Sequence, residues 1–306
     1  MQTNTPSRKT VTLTRRGRLA LVVSGAVLAG TAVAVPLLTL REDGPVRPHA
    51  LVIPEGWRAA QVYAAVDRAL AVPSGSTRQT AAQGGLALPE VAEGNPEGYL
   101  FPATYRIDDR STPRSLLSAM IGAAAKKFTA APPGAGPQRT TMNLHQAVTI
   151  ASIVQAESAT KADMGKVARV IFNRLEQGMP LQMDSTLTYG LGRTTVRTTA
   201  EDTRIDSPYN SYQRMGLPPT PIDSPGEDAL RAVYNPTPGD WLYFVTVKPG
   251  DTRFTADYTQ HQRNVDEFNA RRQSLARQRT GQQQGQPEQG THSPQQGTHS
   301  PQPAPK

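Results

Sequence analysis

Residues 19–40 read LALVVSGAVLAGTAVAVPLLTL without one charged side chain, and no other stretch of this 306-residue sequence restricts the fold so strongly. As a helix rising ~1.5 Å per residue the run would reach about 30 Å, the thickness of a bilayer's hydrocarbon core. It predicts a transmembrane helix. Arg8, Lys9, Arg15, Arg16 and Arg18 stand before it, and no acid does. A basic flank is retained in the cytoplasm. Residues 1–18 are therefore expected to form a cytoplasmic arm, with everything after Arg41 outside, as in a single-pass protein of the cell membrane. A cleaved secretory signal is the competing reading, because Ala32, Val33 and Ala34 resemble a processing site. The apolar stretch is longer than a usual signal core and no polar zone precedes the cut, which favours the uncleaved anchor.

The arm also accounts for much of the charge. The formal net charge is +8, and five of the basic side chains are those just named. Elsewhere the basic surplus is modest and no phosphate-cradling motif occurs, so nucleic-acid binding is the weakest functional class. The absence of cysteine excludes disulfides, zinc ribbons and a thiol nucleophile. His49, His145, His261, His292 and His299 are scattered, so neither a metal site nor a cofactor is expected. From about Arg277 the tandem repeat QGTHSPQ and the scarcity of apolar residues predict a disordered tail over 276–306.

Between anchor and tail the pattern is mixed α+β. A strand-like run, His49 to Ile53, meets a Pro-Glu-Gly turn, and Trp57, Ala60, Tyr63, Val66 and Leu70 then recur at helical spacing. This βα unit either packs on its neighbour or binds cell wall as a small lobe. EGYLFPATYRI, rich in aromatics, leads to the helical STPRSLLSAMIGAAAKKF, with Ser111 or Thr112 as N-cap and Pro113 in its first turn. A Pro/Gly-rich linker, TAAPPGAGPQRT, follows.

Asn143 can cap a helix in which Leu144, Ala147, Val148, Ala151, and Ile153 or Val154 form a core-facing stripe. Glu157 continues that stripe at the C-terminal end. Apolar surroundings and the negative end of the helix dipole both favour its neutral form, which suits a general acid. A frayed end that turns Glu157 into water is the reading that spacing alone favours. A second helix, DMGKVARVIFNRLEQG, is expected to be capped by Asp163 and closed by Gly178. MPLQMDSTLTYGLG reads as extended, with Gln182, Asp184, Thr186 and Tyr189 on alternate or near-alternate positions, either converging on a cleft or facing solvent. Asp206, Ser207, Tyr209, Asn210 and Tyr212 crowd ahead of a Pro-rich loop of the kind that can form a binding wall. DALRAVYNP is a short helix, WLYFVTV a strand expected at the centre of a sheet, and FTADYTQHQRNVDEF closes the folded part.

In EGYLFPATY, ASIVQAES, VARVIFNRLEQGMPLQMDSTLTYG, SPYNSYQRMGLPPTPIDSPG, ALRAVYNP, LYFV and FTADYTQHQRNV, the sequence resembles the endolytic murein transglycosylase (YceG-like) family over about residues 95–268. The resemblance implies a reduced LysM-like lobe over 41–94 and a catalytic domain over 95–275. It also implies an enzyme that cleaves peptidoglycan strands outside the cytoplasmic membrane without water, leaving a 1,6-anhydromuramyl end, beside the synthases that polymerise them. By the same resemblance Glu157 is the catalytic acid; for a mechanism of that kind Gln182, Asp184, Tyr209 and Asn210 are assigned to substrate positioning or to stabilising developing positive charge. Tyr105 and Tyr212 could face sugar rings or the core. The sequence departs from the family pattern at Gln155, where an acid is common, and at Ser185, where proline is common. Two rival readings are a hydrolytic muramidase with Asp184 as second carboxylate and a tethered cell-wall-binding protein without activity.

Overall fold

The computed structural model describes residues 50–129, 142–194 and 198–284. The basic arm, the run at 19–40 and the repeat of the tail lie outside them. Among the described residues no helix is long and apolar enough to cross a membrane.

The first strand, β1 (Ala50–Val52), pairs antiparallel with β2 (Thr104–Arg106), Leu51 opposite Tyr105. Successive side chains of a strand alternate between faces, so these two point inward and their neighbours outward. Helix α1 (Ala59–Leu70) covers the pair with Val62, Val66 and Leu70, which are at most 1% exposed. The buried face is rotated from the one the sequence suggested. Ala60 is exposed and Tyr63 half-buried, because the two branched valines one turn apart fill the interior instead. Asp67 turns its carboxylate toward the next helix, α2 (Ser76–Ala82), accepting N–H bonds from Gly75 at 2.7 Å and Thr77 at 2.8 Å.

Helix α3 (Pro113–Thr129) starts where expected. The Thr112 hydroxyl accepts from Ser115 N–H at 3.1 Å and the Ser115 hydroxyl from Thr112 N–H at 2.9 Å. Leu116, Leu117, Met120 and Ile121 join the core around β1 and α1, whereas Ala124 and Phe128 join a second, larger core. The small lobe thus draws β2 and half of α3 from beyond residue 94.

At the centre of the larger core lies α4 (Leu144–Glu157). Asn143 and Gln146 satisfy each other's backbone N–H at 2.9 and 3.0 Å, the reciprocal capping box of a well-formed helix start. Ala147, Val148, Ile150, Ala151, Ile153 and Val154 are each at most 1% exposed, so α4 is enclosed around most of its circumference. Helices α5 (Lys161–Glu176), α6 (Asp184–Gly190) and α7 (Glu227–Tyr234) surround it. Thr160, not Asp163, stands at the N-cap of α5; Asp163 lies in the first turn and accepts the Thr160 hydroxyl at 2.8 Å. Gly178 closes the helix at φ 64°, as its position suggested. The close passage of Gly98 over the Pro-rich loop requires glycine on two counts: φ is +83°, and a Cβ would overlap Pro221.

WLYFVTV is not the centre of a sheet. Tyr243–Lys248 forms β3 of a two-stranded antiparallel hairpin with β4 (Asp251–Thr255), turning through Gly250. Its apolar side chains are shielded by α5 and by α8 (Tyr258–Gln284) rather than by further strands. Helix α8 also runs past Arg277. Arg and Gln are good helix formers, so low hydrophobicity alone places the end of this helix too early.

Candidate active site

Helix α4 stops at Ser158, whose backbone is extended and whose N–H still reaches Val154 O at 3.1 Å. The last helical side chain, Glu157, is thereby directed at the start of α6, where Ser185 N–H donates to Oε1 at 3.1 Å. Its carboxyl is raised above the usual carboxylate range, chiefly by burial and further by the charge of Asp184, while Ser185 pulls in the opposite direction. Glu157 therefore does not fray into water.

Residues 184–190 are helical rather than extended. The Thr186 hydroxyl folds back to Met183 O at 2.8 Å, and the side chain is fully buried. Tyr189 turns toward Glu97, to which its O–H donates at 3.0 Å. Only Gln182 and Asp184 of the expected alternating set line the same cleft as Glu157, a space of ≈ 880 Å³. Asp184 Oδ1 accepts the Tyr212 O–H at 2.6 Å. Burial and that bond to Asp184 raise the Tyr212 phenol, which stays protonated.

Gln182 has φ 54°, an uncommon left-handed conformation for a residue with a side chain. Two contacts hold it there: its N–H donates to Ser211 O at 2.9 Å, and its Oε1 accepts from Arg174 Nη1 at 3.1 Å. Arg174 is a hub. It donates to Leu242 O at 2.7 Å and to Pro180 O and Leu181 O at 2.9 Å, and its guanidinium lies 5.1 Å from the Tyr243 ring centre.

Asn210 is fully buried and its amide is committed to the loop. Nδ2 donates to Thr203 O at 3.1 Å and Ile205 O at 2.8 Å, and Oδ1 accepts from Tyr212 N–H at 3.1 Å. It shapes the turn that presents Tyr212 and has no polar atom left for a sugar. Tyr209 packs on Tyr189, ring centres 4.9 Å apart, and its hydroxyl meets Thr220 at 2.8 Å, so it belongs to the Pro-rich loop's packing and not to the cleft lining. Tyr105 is a core residue whose O–H donates to Phe101 O at 2.6 Å. Gln155 accepts Gly226 N–H at 3.0 Å, a neutral acceptor holding the loop that leads into α7.

The opposite wall of the cleft went unseen in the sequence. It consists of Phe244 and Thr246 from β3 with His261, Val265, Phe268, Asn269 and Arg272 from α8. The signal was present in the helical spacing of 261, 265, 268 and 272, but nothing local said what that face would meet. Glu97 and Asp223 were also missed. Glu97 is buried, accepting Ala59 N–H at 2.8 Å as well as the Tyr189 O–H. Asp223 is buried with Oδ1 unpartnered among the described residues, and burial, then the charge of Glu97, push its carboxyl well upward. Among the described residues no group of three or more His, Cys, Asp or Glu is placed to hold a metal ion.

Against known proteins, the sequence model of the YceG-like family matches residues 30–267. The endolytic murein transglycosylase of Streptococcus pneumoniae (serotype 2, strain D39) is 39% identical over 177 residues, covering 56% of this chain and 32% of that protein. The endolytic murein transglycosylase of Bacillus subtilis is 35% identical over 173 residues, covering 56% and 48%. The chain thus spans from about a third to about half the length of these curated relatives. The crystal structure of a YceG-like protein from Listeria monocytogenes superposes with a TM-score of 0.60 at 27% identity, covering 71% of this chain and 76% of that one.

Proposed function

The chain belongs to the YceG-like family, and from that premise we propose that it is an endolytic transglycosylase of peptidoglycan, cutting between N-acetylmuramic acid and N-acetylglucosamine to leave a 1,6-anhydromuramyl end. The observation that carries the reading is Glu157, a carboxyl pushed toward its protonated form at the end of a largely buried helix and lining a cleft large enough for sugar rings. The names of the relatives support the same activity.

The chemistry needs one acid. With Ser185 N–H on Oε1, the proton of Glu157 is carried on Oε2. It passes to the glycosidic oxygen as the bond to the muramyl anomeric carbon breaks. The resulting carboxylate then takes the proton of the muramyl 6-hydroxyl, whose oxygen closes on that carbon, and Glu157 is protonated again with no water consumed. Because the nucleophile is part of the substrate, the closure is intramolecular and benefits from proximity. Asp184, held by Tyr212, is suited to stabilise positive charge developing on the sugar, and Gln182 to position it. As a second carboxylate on the same cleft, Asp184 also leaves room for hydrolysis, which ordinarily uses two.

The run at 19–40 with its basic flank supports a single-pass anchor, N-terminus in the cytoplasm and catalytic domain outside. There the enzyme would meet nascent strands beside the synthases and end their growth. The test is mass spectrometry of uncross-linked glycan strands incubated with the full chain, wild type beside Glu157→Gln. Anhydromuramyl ends made by the wild type alone support the proposal. Reducing muramic acid ends would replace it with hydrolysis, and intact strands with folded wild type would remove the activity altogether.

A further inference from the structure

The α8 wall of the cleft has no part in the chemistry above, yet its composition is specific. His261, Val265, Phe268, Asn269 and Arg272 fall on one helical face, lining the same cleft as Glu157 and Asp184. Arg272 makes no ion pair and no side-chain hydrogen bond among the described residues; its guanidinium stands 5.4 Å from the Phe268 ring centre. The contrast is Arg253 on β4, which is clamped by Asp251 and Glu267. Arg272 is thus a cation held on an aromatic face without a counter-ion.

Two residues that line the same cleft, Thr198 and His261, each hold a buried polar atom, Oγ1 and Nδ1, with no hydrogen-bond partner among the described residues. Such atoms are costly to leave unsatisfied, and a hydroxyl-rich ligand supplies partners for them. The His261 ring is stacked on Tyr243 at 5.1 Å, and burial with the nearby Arg174 charge keeps it neutral, so it offers one donor and one acceptor. An aromatic ring, an amide and a free guanidinium on one face match a sugar that carries a carboxylate.

We propose that this α8 face is a saccharide subsite in which Phe268 and Asn269 meet a sugar ring and Arg272 binds a carboxylate of the glycan strand. The inference rests on the glycan reading above and adds the acidic group that is recognised. Charge places that group on the α8 side, since the only carboxyls among the described residues that line the cleft, Glu157 and Asp184, come from α4 and α6. In peptidoglycan the carboxylate has two sources, the stem peptide or, on strands stripped of peptides, the muramyl lactyl group.

The test uses full-chain Glu157→Gln, which retains the cleft without its proton donor, with and without Arg272→Gln, and measures Kd for fluorescent glycan strands. Four probes are used: peptide-bearing strands, amidase-stripped strands, and each of these after methyl esterification. Loss of one exposed charge-assisted contact predicts about tenfold weaker binding of carboxylate-bearing strands by Arg272→Gln. Arg272→Lys should recover part of it, and esterified strands should bind both proteins alike. The probe that shows the loss identifies the source. Equal Kd values on every strand, an equal loss on esterified strands, or no strand binding at all would each overturn the subsite. Strands that the wild type leaves uncut but that bind the Glu157→Gln protein in an Arg272-dependent way would defeat only the transglycosylase reading.

Discussion

Replacing Arg174 by methionine tests whether a buried guanidinium holds the cleft together. The side chain is 6% exposed and feeds three backbone carbonyls, Pro180, Leu181 and Leu242, besides the Gln182 amide. Leaving a buried acceptor without its donor costs about 1–3 kcal/mol. Three of them would suggest more than the change should give, because a buried cation is itself expensive and methionine removes that penalty. The expected net loss is about 3 kcal/mol, which for a folded region of this size lowers Tm by roughly 6–12 °C. Gln182, no longer tied to Arg174, can leave its left-handed conformation, which stores about 1–2 kcal/mol. Asp184 and Ser185 N–H follow it in the chain, so kcat/KM for strand cleavage should fall by about a hundredfold, the usual cost of ~1 Å of misplacement. Arg174→Lys keeps a charge but cannot fork between Leu242 and the 180–182 turn, and should lie between wild type and Arg174→Met. Thermal unfolding and product analysis on the three proteins decide the matter. A methionine variant within about 0.5 kcal/mol of wild type and fully active would refute the reasoning.

Glu157→Gln should be more stable than wild type at neutral pH. A carboxyl whose pKa is raised on folding loses stability as pH rises from the unfolded value to the folded one, so the advantage should vanish below about pH 4; chemical denaturation at pH 3.5 and pH 7 reads it. Asp184→Asn removes a charge that raises Glu157, so the alkaline limb of the pH profile of kcat/KM should move to lower pH; a limb that stays or moves upward contradicts the coupling. Gln155→Glu should keep anhydromuramyl ends as the product while costing about 0.5–3 kcal/mol of stability, the range of an ordinary destabilising substitution, because it sets a second carboxyl near Asp223. Reducing ends from that variant would place residue 155 in the chemistry.

Features fixed by neighbours in sequence were legible. Asn143 and Gln146, Thr112 and Ser115, and Gly178 occupy the ends of helices because each interaction spans only a few residues. The apolar stripe of α4 follows from spacing as well, whereas the placement of its terminal acid against Ser185 does not, since a frayed end fits the same pattern. The misread positions depend on distant chain. Polar residues at 182, 184, 186 and 189 fit a strand period until the Thr186 hydroxyl, turned back on Met183, shows a helix start. Asn210 has the look of a ligand-binding amide, and only the positions of Thr203 and Ile205 reveal that its donors are taken. Arg174 reads as the polar side of a helix because its carbonyl partners at 180–181 and 242 come together only in the fold. The α8 face was invisible for the same reason.

The two amide and acid positions near the end of α4 divide the work by geometry. Residues two apart on an α-helix point about 200° from one another, so Gln155 and Glu157 cannot serve the same space. Gln155 faces the loop at Gly226, and its Cγ and Asp223 Oδ2 both lie within 4 Å of where a Cβ of Gly56 would stand. Glu157 faces Ser185 and the cleft. An acid at 155 would therefore add charge beside a carboxyl already raised by burial and by Glu97, without bringing a second carboxylate to the substrate. The neutral amide fills the same acceptor role without that repulsion, which is why the absence of an acid at 155 is compatible with chemistry that one carboxyl can complete.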